Sequence, residues 1–72
     1  MNERDAEIIL AMAEHSMNVS EVGKKLYIHR NTIHYHINKI KKETGLDCRC
    51  FYDLCELLPS AYAALGKRKE KT

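Results

Sequence analysis

Residues 18–44 read NVSEVGKKLYIHRNTIHYHINKIKKET, and this stretch decides the fold. It opens with capping-box spacing: the Asn18 side chain can accept from the backbone near Glu21, and the Glu21 carboxylate can reach back. The pattern predicts a short helix over about Val19 to Lys25, a break at Leu26 to His29, and a longer helix from Arg30 to about Glu43. Ile33, Ile37 and Ile40 fall at i, i+4 and i+7, one face of that second helix. Gly45 suits the left-handed residue that ends it. A short and a longer helix joined by about four residues beside a basic cluster form a helix-turn-helix pattern. Gly23 costs about 1 kcal/mol against Ala inside a helix, and its presence is explained by a close helix approach that a side chain would obstruct.

Outside this core the chain also reads as helical. Asp5 to Glu14 contains the apolar run Ile8 to Ala13, apolar on nearly every face. After Gly45, Asp47 is expected to cap a fourth helix in which Phe51, Leu54, Cys55 and Leu58 share a stripe. Pro59 is expected to kink or end that helix, with a further turn over Ala61 to Leu65. No stretch alternates with period two for long enough to make a strand. The expectation is an all-α bundle of four to five helices over residues 1–65, its helix-turn-helix core at 18–44, followed by a disordered basic tail at 66–72.

The formal charge of +2 conceals a segregated pattern. Residues 1–15 hold Glu3, Asp5, Glu7 and Glu14 against Arg4, and residues 43–58 are acidic again. Between them, residues 22–42 carry Lys24, Lys25, Arg30, Lys39, Lys41 and Lys42 with no acid, plus His29, His34 and His36. A polyanion binder shows this footprint. Stepping about 100° per residue from Ile33 puts Asn31, Tyr35, Asn38 and Lys42 opposite the isoleucine face. Long polar side chains there match the donors and acceptors that base edges present in the major groove of DNA. Arg30, Asn31, His34, Tyr35 and Asn38 are the candidate base contacts, and Ser20, Lys24, Lys25, Thr32, Lys39 and Lys42 the candidate phosphate contacts.

Other classes fit poorly. A chain of 72 residues buries only about 60% of its unfolded surface and leaves little room for a large active-site cavity. It has no Gly-rich phosphate loop, nucleophile motif or plausible carboxylate pair, so no enzymatic function and no cofactor is expected. No apolar run approaches the roughly 18 residues a membrane span requires. Three cysteines are too few for a disulfide framework and point to a reducing, cytoplasmic setting. Cys48 and Cys50 are separated by one residue, against the two to four of a structural zinc site, so no metal is expected. Cys50 and Cys55 read as small hydrophobes near a helix.

Residues 26–47, LYIHRNTIHYHINKIKKETGLD, closely resemble the C-terminal DNA-binding domain of the PucR/CdaR-type bacterial regulators. The resemblance rests on His29, Arg30, Asn31, Thr32, Tyr35, Thr44, Gly45, Leu46 and Asp47, and spans roughly residues 5–58. It implies a compact all-helical domain that binds promoter DNA, usually as a dimer. The chain departs from the family pattern at His34 and His36, where the family carries arginines around the tyrosine. Those regulators also place this module behind several hundred residues. The chain is then either a stand-alone small regulator, the reading that the initiating Met and acidic first helix favour, or an isolated piece of a longer one, and no small-molecule effector is expected to bind within it.

Some of these residues have structural readings. His29 stands where Ser or Thr usually caps a helix, His36 lies about 60° from the isoleucine stripe, and Tyr27 reads as a packing residue in the turn. Helix 1 is apolar on more faces than one small core can use, and Phe51 to Leu65 adds Tyr52, Leu57, Tyr62 and Leu65. Exposed apolar surface of that kind predicts a homodimer through the first and C-terminal helices. The competing class is a helical protein-interaction adaptor that has lost DNA affinity.

Overall fold

A computed structural model describes residues 1–66. They form four helices, α1 Glu3–Glu14, α2 Val19–Leu26, α3 Arg30–Thr44 and α4 Phe51–Ala64. The all-α expectation holds, and the basic tail of Lys67, Arg68, Lys69 and Lys71 lies outside the described residues.

Each helix has a local reason to begin and stop. The Asn2 side chain accepts from the Asp5 N–H at 2.8 Å and starts α1. The Asn18 side chain accepts from the Glu21 N–H at 3.1 Å and starts α2, as the capping spacing predicts. Thr44 ends α3 by donating its hydroxyl to the Ile40 carbonyl at 2.8 Å and accepting from the Leu46 N–H at 3.0 Å. Gly45 follows at φ 80°, the left-handed stop read from the sequence.

α1 is the hub. It packs most extensively on α4 and also meets α2 and α3, while α2 packs on α3. Ala6, Ile8, Ile9, Leu10, Ala11 and Met12 are all buried. This corrects the expectation that α1 offers a spare apolar face: the three other helices between them take up its sides. Ile33, Ile37 and Ile40 of α3, with Val22 of α2, close the core from the helix-turn-helix side.

The region after Gly45 departs from expectation in three ways. Asp47 does not cap α4, which begins later, with Cys50 at the cap position and no side-chain cap bond. Asp47 instead closes the preceding turn by accepting from the Arg49 N–H at 2.8 Å, and Asp53 in the first turn of α4 accepts from the Asp47 N–H at 3.1 Å. The buried stripe of α4 is Leu54, Leu57 and Ala61, with Phe51 and Cys55 exposed: the face turned to α1 is centred nearer Leu57 than the expected stripe. Pro59 neither ends α4 nor separates Ala61 to Leu65 as a distinct turn: the helix continues to Ala64. Pro59 and Cys55 both face solvent, so the carbonyl deprived of its donor can bond to water.

The cysteines also exchange roles. Cys48, in the turn, is the buried one, and Cys50 and Cys55 are exposed, so neither serves as a core hydrophobe. Burial pushes the Cys48 thiol up to about 11.

Candidate nucleic-acid interface

The interface is built on the turn between α2 and α3. Gly23 admits the close approach its position predicts, but the neighbour is the turn rather than α3 itself: a Cβ there would lie 2.7 Å from the Ile28 carbonyl oxygen. The Ile28 N–H returns to the Gly23 carbonyl at 2.9 Å, so the turn folds back onto α2. Tyr27 makes this reversal in the left-handed region, at φ 57°, as the C-cap of α2. Its side chain is 95% exposed, which overturns the packing role. A bulky residue at positive φ is uncommon. Here the ring gains no burial in return.

His29 then starts α3. Its Nδ1 accepts from the Asn31 N–H at 3.0 Å, the role a Ser or Thr oxygen ordinarily plays. Its carbonyl takes the N–H groups of Thr32 and Ile33 at 2.9 and 3.1 Å. The first turn is thereby fixed, with Arg30, Asn31 and Thr32 exposed.

Two neighbouring surfaces result. A shallow groove between α2 and the start of α3 is lined by Ser20, Lys24, Tyr27, His29 and Arg30. Along α3, Asn31, Tyr35, Asn38 and Lys42 are exposed opposite the buried isoleucines, and Tyr35, Asn38 and Lys42 border one shallow depression. Lys24 stands 3.8 Å from Glu21 in a solvent-exposed pair of little consequence. Lys25 lies apart from both surfaces, beside Glu7 and Glu14 of α1.

Three candidates have partners within the fold. The Lys39 ammonium meets Asp5 Oδ2 at 2.8 Å, and His36 Nδ1 meets Asp5 Oδ1 at 3.0 Å. The hydrogen bond to Asp5 holds the Lys39 ammonium above its ordinary range. His36 is therefore a satisfied, half-buried histidine. His34 and Asn38 border Arg49, whose Nη2 donates to Asn38 Oδ1 at 3.0 Å and whose Nη1 lies 3.5 Å from His34 Nδ1. The Arg49 guanidinium is gripped in turn by Asp47, Nε to Oδ1 at 2.9 Å and Nη2 to Oδ2 at 3.2 Å. This hydrogen bonding holds the Asp47 carboxyl below its usual range.

Asp5 and Arg49 are the two residues that sequence reasoning did not single out. Asp5 had a signal: with Ile8, Ile9 and Met12 it falls at i, i+3, i+4 and i+7, an acid on the buried stripe. A buried acid requires a partner. Arg49 had none, because nothing local says where a turn will lay its side chain.

The chain matches the PucR C-terminal helix-turn-helix domain family over residues 6–61. It is also 40% identical over 63 residues to the carbohydrate diacid regulator of Escherichia coli (strain K12), a match covering 88% of this chain and 15% of that protein. The chain thus spans well under a quarter of the length of this curated relative. No solved structure matches significantly.

Proposed function

Since the chain belongs to the PucR C-terminal helix-turn-helix domain family, we propose that it binds duplex DNA sequence-specifically and regulates transcription by laying α3 in the major groove. The observation that carries this reading is the segregation of α3. Ile33, Ile37 and Ile40 are buried, while Arg30, Asn31, Tyr35, Asn38 and Lys42 are exposed on or beside the other side. In this reading Arg30 and Asn31, at the end that enters the groove, contact bases, with His34, Tyr35 and Asn38 following along the helix. Ser20, Lys24, Thr32 and Lys42 hold phosphates. Lys25 is a peripheral contact, and Lys39, tied to Asp5, orients α3 against α1.

The domain acts as a homodimer in this proposal, through α4 rather than α1. Phe51 and Tyr52 are 59% and 79% exposed, and Phe51 borders an apolar groove shared with Met12, Met17, Leu54 and Leu58. Action in the cytoplasm, without catalysis and without an effector bound in this domain, completes the proposal. Among the described residues no helix is long and apolar enough to cross a membrane.

Selection of bound sequences from a random duplex pool tests it. Asn31→Ala or Arg30→Ala should cost about 1–3 kcal/mol on the preferred site and relax its sequence. Lys42→Ala should weaken all duplexes alike and lower the slope of log affinity against log salt by about one. No retained duplex and a flat salt response would support an adaptor instead.

A further inference from the structure

Arg49 arrives at α3 from outside the helix-turn-helix. It comes from the turn after Gly45, held by three bonds to Asp47, and reaches two residues one helical turn apart, His34 and Asn38. A guanidinium only donates hydrogen bonds. The Asn38 amide must therefore turn its oxygen toward Arg49, and no other bond within the described residues engages its nitrogen. Arg49 Nη1 also stands 3.5 Å from His34 Nδ1, a longer contact that favours the ring with Nδ1 as acceptor and Nε2 as donor.

We propose that Arg49 is a specificity-determining positioning residue: it holds Asn38 and His34 as outward hydrogen-bond donors, so the middle of α3 selects guanine in preference to adenine. This assignment rests on the DNA-binding reading above. Asparagine ordinarily recognises adenine with its oxygen and nitrogen together, accepting from N6 and donating to N7. With its oxygen turned to Arg49, Asn38 meets bases with its NH₂ group. Guanine offers two acceptors in the major groove, N7 and O6, whereas adenine sets its own N6 donor against the incoming one. His34, at i−4 on the same helix edge, adds a second donor beside the first.

The test is random-duplex selection with four chains: wild type, Asn38→Asp, Arg49→Ala and Arg49→Gln. The wild type should enrich guanine at one position of each half-site. Asn38→Asp keeps the acceptor that Arg49 needs but loses both donors, and should turn that position toward cytosine, whose N4 amino group donates. Arg49→Ala frees the amide to rotate, and should lower the guanine-over-adenine preference there about fivefold or more while the rest of the site persists. Arg49→Gln can still donate to Asn38 Oδ1, and should preserve the guanine while losing affinity for all duplexes alike. Circular dichroism establishes that each variant is folded; if Arg49→Ala is not, Arg49→Gln decides, and a folded Arg49→Gln that loses the guanine preference overturns the proposal. The proposal is overturned if folded Arg49→Ala selects the wild-type base at every position, or if Asn38→Asp leaves the guanine in place. It is also overturned if the wild type selects adenine at the position that Asn38→Asp alters. A wild-type chain that selects no sequence overturns the specific-binding reading itself, and this assignment with it.

Discussion

Asp5 in the first helix and Lys39 in the third, 34 residues apart in sequence, meet at 2.8 Å, and the Asp5 side chain is only 1% exposed. The pair, completed by His36, is the polar contact that sets the exposed helix against the hub of the core. Asp5→Ala removes two charge-assisted contacts and should cost about 2–3 kcal/mol in chemical denaturation. Lys39→Ala should lower the melting temperature further, because it leaves the buried Asp5 Oδ2 without a partner and only His36 on Oδ1, whereas Lys39 in Asp5→Ala can turn to water. The double variant Asp5→Leu/Lys39→Met should recover much of the loss. Equal and additive losses in the two single variants would show that the pair does not act as a unit.

Stability should fall as the solution becomes alkaline. The Cys48 thiol is raised to about 11 from an ordinary 9.0, and Lys39 lies above its ordinary 10.5. Both groups bind their protons more tightly in the folded state: the Cys48 contribution is complete below pH 9 and lost as the pH climbs through about 11, and that of Lys39 is complete below 10.5 and lost above it. The Cys48 share is of order 2 kcal/mol. Urea denaturation of Cys48→Ala between pH 8 and 11 should show a shallower decline than the wild type.

Thiol labelling at pH 7.5 should follow the same burial. Cys50 and Cys55 are exposed and should react at once with an aromatic disulfide reagent, while Cys48 should react only on unfolding. Three equally fast thiols in the folded protein would contradict the buried position of Cys48.

Gly23→Ala should destabilise the domain although it sits in a helix. The general gain of about 1 kcal/mol for Ala over Gly is opposed by a Cβ placed 2.7 Å from a backbone carbonyl that cannot swing away. We expect a net loss of about 1–2 kcal/mol, read as a lower melting temperature. A rise would mean that the turn relaxes without penalty.

Self-association should depend on α4. Phe51→Ser with Tyr52→Ser should shift sedimentation of the protein toward the 8.4 kDa monomer and weaken binding to a two-half-site duplex more than to a single half-site. A wild type that sediments only as a monomer, with or without DNA, overturns the dimer.

The helix-turn-helix was legible because its signals are local. Asn18 and Glu21, the isoleucines at 33, 37 and 40, and Gly45 each act within a few residues of their position, and the helices appear where those signals place them. The histidine cap was legible for the same reason. What escaped depends on distance or on rotation. Asp47 satisfies every local criterion for a cap, yet its carboxylate is taken by Arg49 and α4 starts at Phe51; which face of α4 is buried, Leu54, Leu57 and Ala61, is decided by packing on α1. The apolar excess of α1 was real, but only the tertiary packing shows three helices sharing it. Tyr27 was misread because a left-handed residue throws its side chain out of the turn, and φ cannot be read from the residue type.

The central position of α1 bears on how the domain is made. Its principal neighbour, α4, is the last of the four helices among the described residues, so the core closes between segments at opposite ends of the domain. Within this domain Ile8, Ile9 and Met12 are synthesised well before Leu57 and Ala61, which they pack beside in the core. Until α4 is made, α1 has only α2 and α3 of this domain to pack against. Closure of so long a loop precedes the burial that rewards it. The core therefore cannot close until α4 has been made, and a chain that stops short of α4 leaves the aliphatic side of α1 that α4 covers exposed to water.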